Sequence, residues 1–139
     1  MILVDTWAWV ALGIKKDQHH RAAAATHQRL QKSHRRYVTT DFIFNEVINA
    51  VYARQSADRA RAYIAGIWAK ADTGALDLVH VSPAQFRRAW QLRQKYDDKP
   101  GISFVDFTSM AVMQDLGVAE IFTGDAHFTQ VGLGFRLMP

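Results

Sequence analysis

The chain opens on Met1-Ile2-Leu3-Val4, a wholly apolar run, and sets a carboxylate, Asp5, directly after it. A stretch without polar alternation has no face meant for water. It suits a strand covered on both sides, as strands of a parallel sheet are. Parallel strands need crossover helices, and the rest of the chain supplies them. Residues 6–13 read as a short helix ending near Gly13. Residues 17–35, rich in Ala, Gln, His and Arg, read as a second helix. Tyr37-Val38-Thr39-Thr40 reads as strand two. Asp41 is placed to cap a helix over 42–54, where Ile43, Val47, Ala50 and Val51 form an apolar stripe. Helix continues over 57–70, up to the turn Asp72-Thr73-Gly74, and residues 76–81 read as strand three.

Ser82-Pro83-Ala84-Gln85 has the form of a capping box with Pro at the first helical position, opening a helix to about Tyr96. Residues 97–101 form a loop. Ser103 caps a helix to about Leu116, closed by Gly117. Residues 120–123 and 135–138 read as the last two strands. Strands alternating with helices argue for an α/β sandwich around a parallel sheet, in which sites form at the carboxyl ends of strands.

Composition sets the outer limits. The 139 residues include four Trp and eight Phe, and about half are apolar, enough for one core and hence one compact domain over 1–139. Cysteine is absent, which removes disulfides, thiolate ligands and a Cys nucleophile and fits a reducing cytoplasm. No apolar run approaches the roughly 20 residues needed to span a bilayer. The first residues lack the basic region of a signal peptide and read as structural. A formal charge of +4 favours polyanions but requires a patch before it means nucleic acid.

The acids stand where an α/β sheet builds its sites. Asp5 follows strand one, and Asp125 follows strand four just beyond Thr123-Gly124. Glu46 lies in the second turn of the helix after strand two, and Asp106 in the first turn of the helix before strand four. Each alone also reads as a helix cap or a solvated residue. Together they would converge on one sheet edge. Four clustered carboxylates repel, and hard divalent cations satisfy such oxygen-rich sets. Such a cation lowers the pKa of its bound water, and a pair clamps both oxygens of a phosphodiester displacement.

Four segments resemble one known family. Met1-Ile2-Leu3-Val4-Asp5-Thr6 resembles the opening of PIN domains. Thr39-Thr40-Asp41-Phe42-Ile43-Phe44-Asn45-Glu46 is similar to their second motif. Ser103-Phe104-Val105-Asp106-Phe107-Thr108-Ser109-Met110-Ala111 is similar to the third, and Thr123-Gly124-Asp125-Ala126-His127-Phe128 to the fourth. The chain most resembles single-domain VapC-type toxins of toxin–antitoxin systems. The resemblance implies a three-layer α/β/α sandwich with a central parallel sheet of about five strands. It also implies a Mg²⁺- or Mn²⁺-dependent endoribonuclease acting on RNA such as tRNA or rRNA. The implied partners are a small antitoxin and a second copy of the chain.

Carried over by position, Asp5, Asp106 and Asp125 hold metal, directly or through water. Glu46 completes the set or orients the attacking water. Thr123 supports a carboxylate through its hydroxyl, with Thr6 as a second candidate. Asp97 and Asp98 read as solvated loop residues, and His127 as packing at a helix start. His20, His27 and His34 recur too far apart on a helix to share one ion. Lys15, Lys16, Arg21, Arg35, Arg36, Arg54, Arg59 and Arg61 are available for an RNA path, and Trp7 and Trp9 read as base-stacking or packing residues. Phe42, Phe44, Ile64, Ile67 and Trp68 read either as core or as a groove for an antitoxin helix.

Other strand-end Asp chemistries fit less well. An aspartyl-phosphate phosphatase needs an acid two residues after the nucleophile, where this chain has Trp7. A phosphoacceptor domain needs paired acids early, and the first strand offers Asp5 alone. A PIN-like module that only binds RNA or protein is the non-catalytic alternative, and RNA processing outside a toxin–antitoxin pair is the other nuclease role.

Overall fold

In the computed structural model, which describes residues 1–138, five parallel strands form one sheet in the order β3-β2-β1-β4-β5. The strands are β1 (Ile2–Val4), β2 (Tyr37–Thr40), β3 (Leu76–Val79), β4 (Glu120–Phe122) and β5 (Arg136–Leu137). Leu3 of β1 pairs with Val38 on one side and Ile121 on the other. The reading of the opening run as a doubly covered strand holds for Ile2–Val4, which are fully buried, whereas Met1 is exposed and lies outside the strand. Burial falls away toward the edge strands β3 and β5.

Six α-helices flank the sheet: α1 (Thr6–Gly13), α2 (His20–Lys32), α3 (Asp41–Arg54), α4 (Ala57–Asp72), α5 (Pro83–Lys95) and α6 (Phe104–Leu116). The links β1-α1-α2-β2 and β2-α3-α4-β3 step in one direction across the sheet. The link β3-α5-α6-β4 returns past β2 and β1. Right-handed crossovers therefore put α1–α4 on one face and α5–α6 on the other, giving the expected three layers. The reversal of direction falls between β1 and β4, and such switch points open a crevice at the strands' carboxyl ends.

Several expected boundaries move. The second helix spans His20–Lys32 rather than 17–35, and strands three and five are shorter than 76–81 and 135–138. Thr40, not Asp41, caps α3: its hydroxyl accepts from the Ile43 N–H at 3.1 Å. The Asp41 carboxylate instead accepts from its neighbour Phe42 and from the Val81 N–H, closing the strand at Val79. The helix start expected at His127 is a short 3₁₀ helix over residues 126–129. The capping box expected at Ser82 exists, and the cap expected at Ser103 is a capping box as well. Ser82 pairs with Gln85, and Ser103 pairs with Asp106 in the same reciprocal way.

Phe44, Ile64 and Ile67 belong to the core, as does Trp9, whose indole N–H donates to Thr39. Trp68 is exposed over Phe44, and Phe42 meets Phe86 edge-on. Gly13 ends α1 under the ring of Tyr63, whose hydroxyl donates to the Trp9 carbonyl at 2.6 Å. A Cβ at Gly13 would fall 2.3 Å from that ring, whereas one at Gly66 meets nothing within 4 Å. Gly13→Ala should therefore cost about 1–3 kcal/mol in urea unfolding. Gly66→Ala, inside exposed helix, should stabilise by roughly 0.5–1 kcal/mol. Equal effects of the two changes would contradict this packing of α1 against α4.

Candidate active site

The crevice between β1 and β4 is where the acids collect. Asp5 directly follows β1 and is 5% exposed; its N–H still donates to the Phe122 carbonyl, extending the strand pairing by one residue. Thr123 follows β4 and is fully buried. Its hydroxyl donates to Asp5 Oδ2 at 2.9 Å and accepts from the Asp125 N–H at 3.1 Å. One hydroxyl thus links the two strand ends and orients both acids. Asp125 is fixed a second time by accepting from the His127 N–H.

Asp106 arrives from the opposite face. Its side chain accepts from the Ser103 N–H, and the Ser103 hydroxyl accepts from the Asp106 N–H, so the capping box that starts α6 also aims the carboxylate. The preceding loop is pinned by Arg93, whose guanidinium donates to the Tyr96, Lys99 and Ile102 carbonyls and lies over the Phe107 ring. Asp97 and Asp98 are exposed on that loop, and Asp98 pairs with Lys99, as solvated residues do.

His127 does more than pack at a helix start. Its Nδ1 lies 3.0 Å from Asp106 Oδ2 and 3.1 Å from Asp125 Oδ2. With a carboxylate on either side, Nδ1 carries its proton and donates. Asp106, Asp125 and His127 each present a ligand atom, all within 4.8 Å of one another. Only the spacing Asp-x-His in the sequence hinted at this contact, because the partner Asp106 lies 21 residues away.

Glu46 joins differently. Its Oε1 accepts from the Thr6 hydroxyl at 2.7 Å, beside Asp5 in the chain. Both expected supporting hydroxyls thus bond an acid of the set. Trp7 covers the motif from the side: a Cβ at Gly124 would fall 2.4 Å from its indole, so only glycine fits between Thr123 and Asp125 there. His19 lies against the other part of that ring system, 5.1 Å between centroids. His20 and His27 bond the Ala11 carbonyl and the Tyr37 hydroxyl, far from any shared ion.

Electrostatics sets these acids apart. Burial, then the Asp106 charge, pushes the Asp5 carboxyl up to about 7, against a lowering by the Thr123 hydroxyl. Burial also raises Asp106, offset in part by the His127 hydrogen bond and reinforced by Asp125. Oxygen-rich, mutually repelling groups of this kind fit a hard divalent cation held with waters and phosphate oxygens.

A pH dependence follows for the metal-free protein. Folded Asp5 keeps a proton that the unfolded chain, near 3.8, has lost. Its contribution to stability is therefore complete below about pH 4 and disappears as pH rises toward 7. Asp106 acts in the same direction. In EDTA at pH 8, Asp5→Asn should raise the melting temperature by roughly 5 °C and flatten its decline between pH 4 and 7. Added Mg²⁺ should stabilise the wild type more than the variant. Superimposable pH profiles for the two proteins would contradict the burial and repulsion assigned to Asp5.

Known proteins share this arrangement of elements. The chain matches the PIN domain over residues 2–133. It is 32% identical over 135 residues to the 23S rRNA-specific endonuclease VapC20 of Mycobacterium tuberculosis, in strains CDC 1551 and H37Rv, covering 95% of each chain. The crystal structure of Mycobacterium tuberculosis VapC20, a Sarcin-Ricin loop cleaving toxin, superimposes with a TM-score of 0.80 at 28% identity over 95% of both chains. A protein of Pyrobaculum aerophilum shares the fold at a TM-score of 0.64 and 16% identity, covering 99% of this chain and 88% of that one. The acid cluster at the sheet's reversal point thus sits in a chain that belongs to the PIN-domain family, on its VapC-type branch.

Proposed function

We propose that this protein is an endoribonuclease, the toxin of a toxin–antitoxin pair, that cuts a structured loop of 23S rRNA with Mg²⁺ or Mn²⁺ at the β1/β4 crevice. The observation that carries the reading is the meeting of Asp5, Asp106 and Asp125 there, with their charges coupled and no Lys or Arg among their partners. The likeness to VapC20 supports the substrate class.

Asp5, Asp106 and Asp125 are the groups to hold the metal. When bound, the ion supplies a nucleophilic water and neutralises charge on the phosphodiester. Thr123 orients Asp5 and Asp125 together, acting as a positioning residue. Thr6 occupies one oxygen of Glu46, which leaves the other to take a proton from the attacking water. His127 holds Asp106 and Asp125 side by side through its Nδ1.

The chain works as one domain in the cytoplasm; among the described residues no helix is long and apolar enough to cross a membrane. A small antitoxin and a second copy are its partners, and the exposed Trp68, Phe86 and Trp90 support such contacts.

The test is cleavage of total bacterial RNA, mapped by primer extension. Discrete 23S rRNA ends should require Mg²⁺ or Mn²⁺ and disappear with EDTA. Asp106→Ala and Asp125→Ala should each lose about 100-fold or more with the fold intact. Thr123→Val should lose about 10- to 100-fold, and Thr123→Ser should recover most of it. A folded Asp106→Ala protein cutting at the wild-type rate would falsify the site.

A further inference from the structure

Half of the cations that the sequence makes available to RNA, Arg35, Arg36, Arg54 and Arg61, are engaged with carboxylates. Arg35 and Arg136 share Glu120, Arg36 holds Asp77 and Arg88 holds Asp115. Among the described residues, three exposed cations have no carboxylate partner and line one groove: Lys15, Lys16 and Arg59. The groove has a volume of about 860 Å³ and lies where the end of α1 meets the α3–α4 corner. Arg54 lines it too, paired with Asp17 at 2.8 Å. The other nearby acid, Asp58, is paired with Arg61. Each carboxylate here is cancelled by its own arginine, which leaves a surplus of three positive charges.

We propose that this groove holds the phosphodiester backbone of the RNA substrate, away from the bond that is cut. The proposal rests on the nuclease reading above and adds where the RNA is anchored. Two helices lead from site to groove. α1 begins at Thr6, next to Asp5, and ends at Gly13; α3 passes Glu46 and ends at Arg54. The Thr6–Glu46 hydrogen bond ties the pair at the site, and the Arg54–Asp17 ion pair ties it at the groove. Seven or eight helical residues separate the two, about 10–12 Å, a distance that a few nucleotides cover. The acid cluster repels a polyanion, so binding free energy has to come from a separate positive surface. Free, exposed cations supply it by releasing counterions from phosphates.

The test compares Lys15→Gln/Lys16→Gln/Arg59→Gln with a control, Arg29→Gln/Lys32→Gln/Arg87→Gln, which removes the same charge from exposed cations outside the groove. All three groove residues are exposed, and circular dichroism checks that both proteins fold. Binding of purified bacterial 23S rRNA is measured with each change placed in the Asp106→Ala background, where the RNA stays whole. Cleavage is measured in the wild-type background.

The groove variant should bind at least tenfold more weakly than the control. Its dependence of log affinity on log salt should be shallower by about 2–3. KM should rise about tenfold, with kcat within about twofold of wild type. Unchanged affinity, or an equal loss in the control, overturns the proposal while cleavage by the wild type leaves the nuclease reading standing. Unchanged RNA affinity with lost binding of poly-glutamate would assign the groove to an acidic protein and equally overturn it. A wild type that binds RNA through the groove but cuts none sinks the nuclease reading and keeps the groove. A wild type that binds no RNA overturns both.

Discussion

A single hydroxyl holds together the part of the molecule on which the rest converges. Thr123 donates to Asp5 and accepts from the Asp125 backbone, bridging the ends of β1 and β4 at the one place where the sheet reverses direction. Every other functional element is referenced to those strand ends. α1 starts on the Asp5 carbonyl, which accepts from the N–H groups of Ala8 and Trp9. α3 is held to α1 through Glu46 and Thr6. α6 reaches across from the far face through Asp106, His127 and Asp125. Because β1 and its neighbours are buried on both faces, none of these strand ends can shift without disturbing the core.

The charges divide into two populations. Asp77, Asp98 and Glu120 each lie beside an arginine or lysine that holds their carboxyls below the usual range, and Asp115 is lowered by the hydrogen bond from Gln85 and then by Arg88. Asp5 and Asp106 go the other way, both raised by burial, Asp5 also by the charges of Asp106 and Asp125 and Asp106 by that of Asp125. A chain with 17 basic residues has cations to spare for these acids, yet the basic partner placed there is an imidazole. Buried acids left with so little compensation lower the stability of the metal-free fold. Such local inconsistency is what a functional site looks like in an otherwise self-consistent structure.

How much of this was legible in the sequence depends on the range of the interaction concerned. The capping box at Ser82 and the cap at Ser103 act within three residues, and β1 is an apolar run of three, so these could be read directly. Asp41 was misread because Thr40, just before it, caps equally well, and because the Asp41 carboxylate answers to Val81, 40 residues away. The acids at strand ends were visible as positions, but their meeting depends on strand order, which no local pattern encodes. His127 was the clearest omission. Nothing within a few residues of it distinguishes a packing histidine from one placed between two carboxylates. The short strands shrank for a related reason: beyond Val79 the Val81 N–H turns to the Asp41 carboxylate, and the ladder pairs of β5 stop at Leu137.

The same separation by range governs the surface. Cations look alike in a sequence, and eight of them made equal claims on RNA. In the fold, four of the eight meet a carboxylate, two of them from far along the chain: Arg35 reaches Glu120 across 85 positions and Arg36 reaches Asp77 across 41. Those pairs tie β-strand ends together and are spent on architecture. Three without a carboxylate partner among the described residues, Lys15, Lys16 and Arg59, line the groove at the far end of α1, while the opposite end of that helix abuts the acids. α1 therefore separates a negative region from a positive one by about two turns of helix. A polyanion meeting that surface is drawn to one end and repelled at the other unless a divalent cation is present. Retention of the RNA and chemistry on it are then functions of different residues. The fixed distance between them makes the position of the cut a property of RNA shape as well as of sequence.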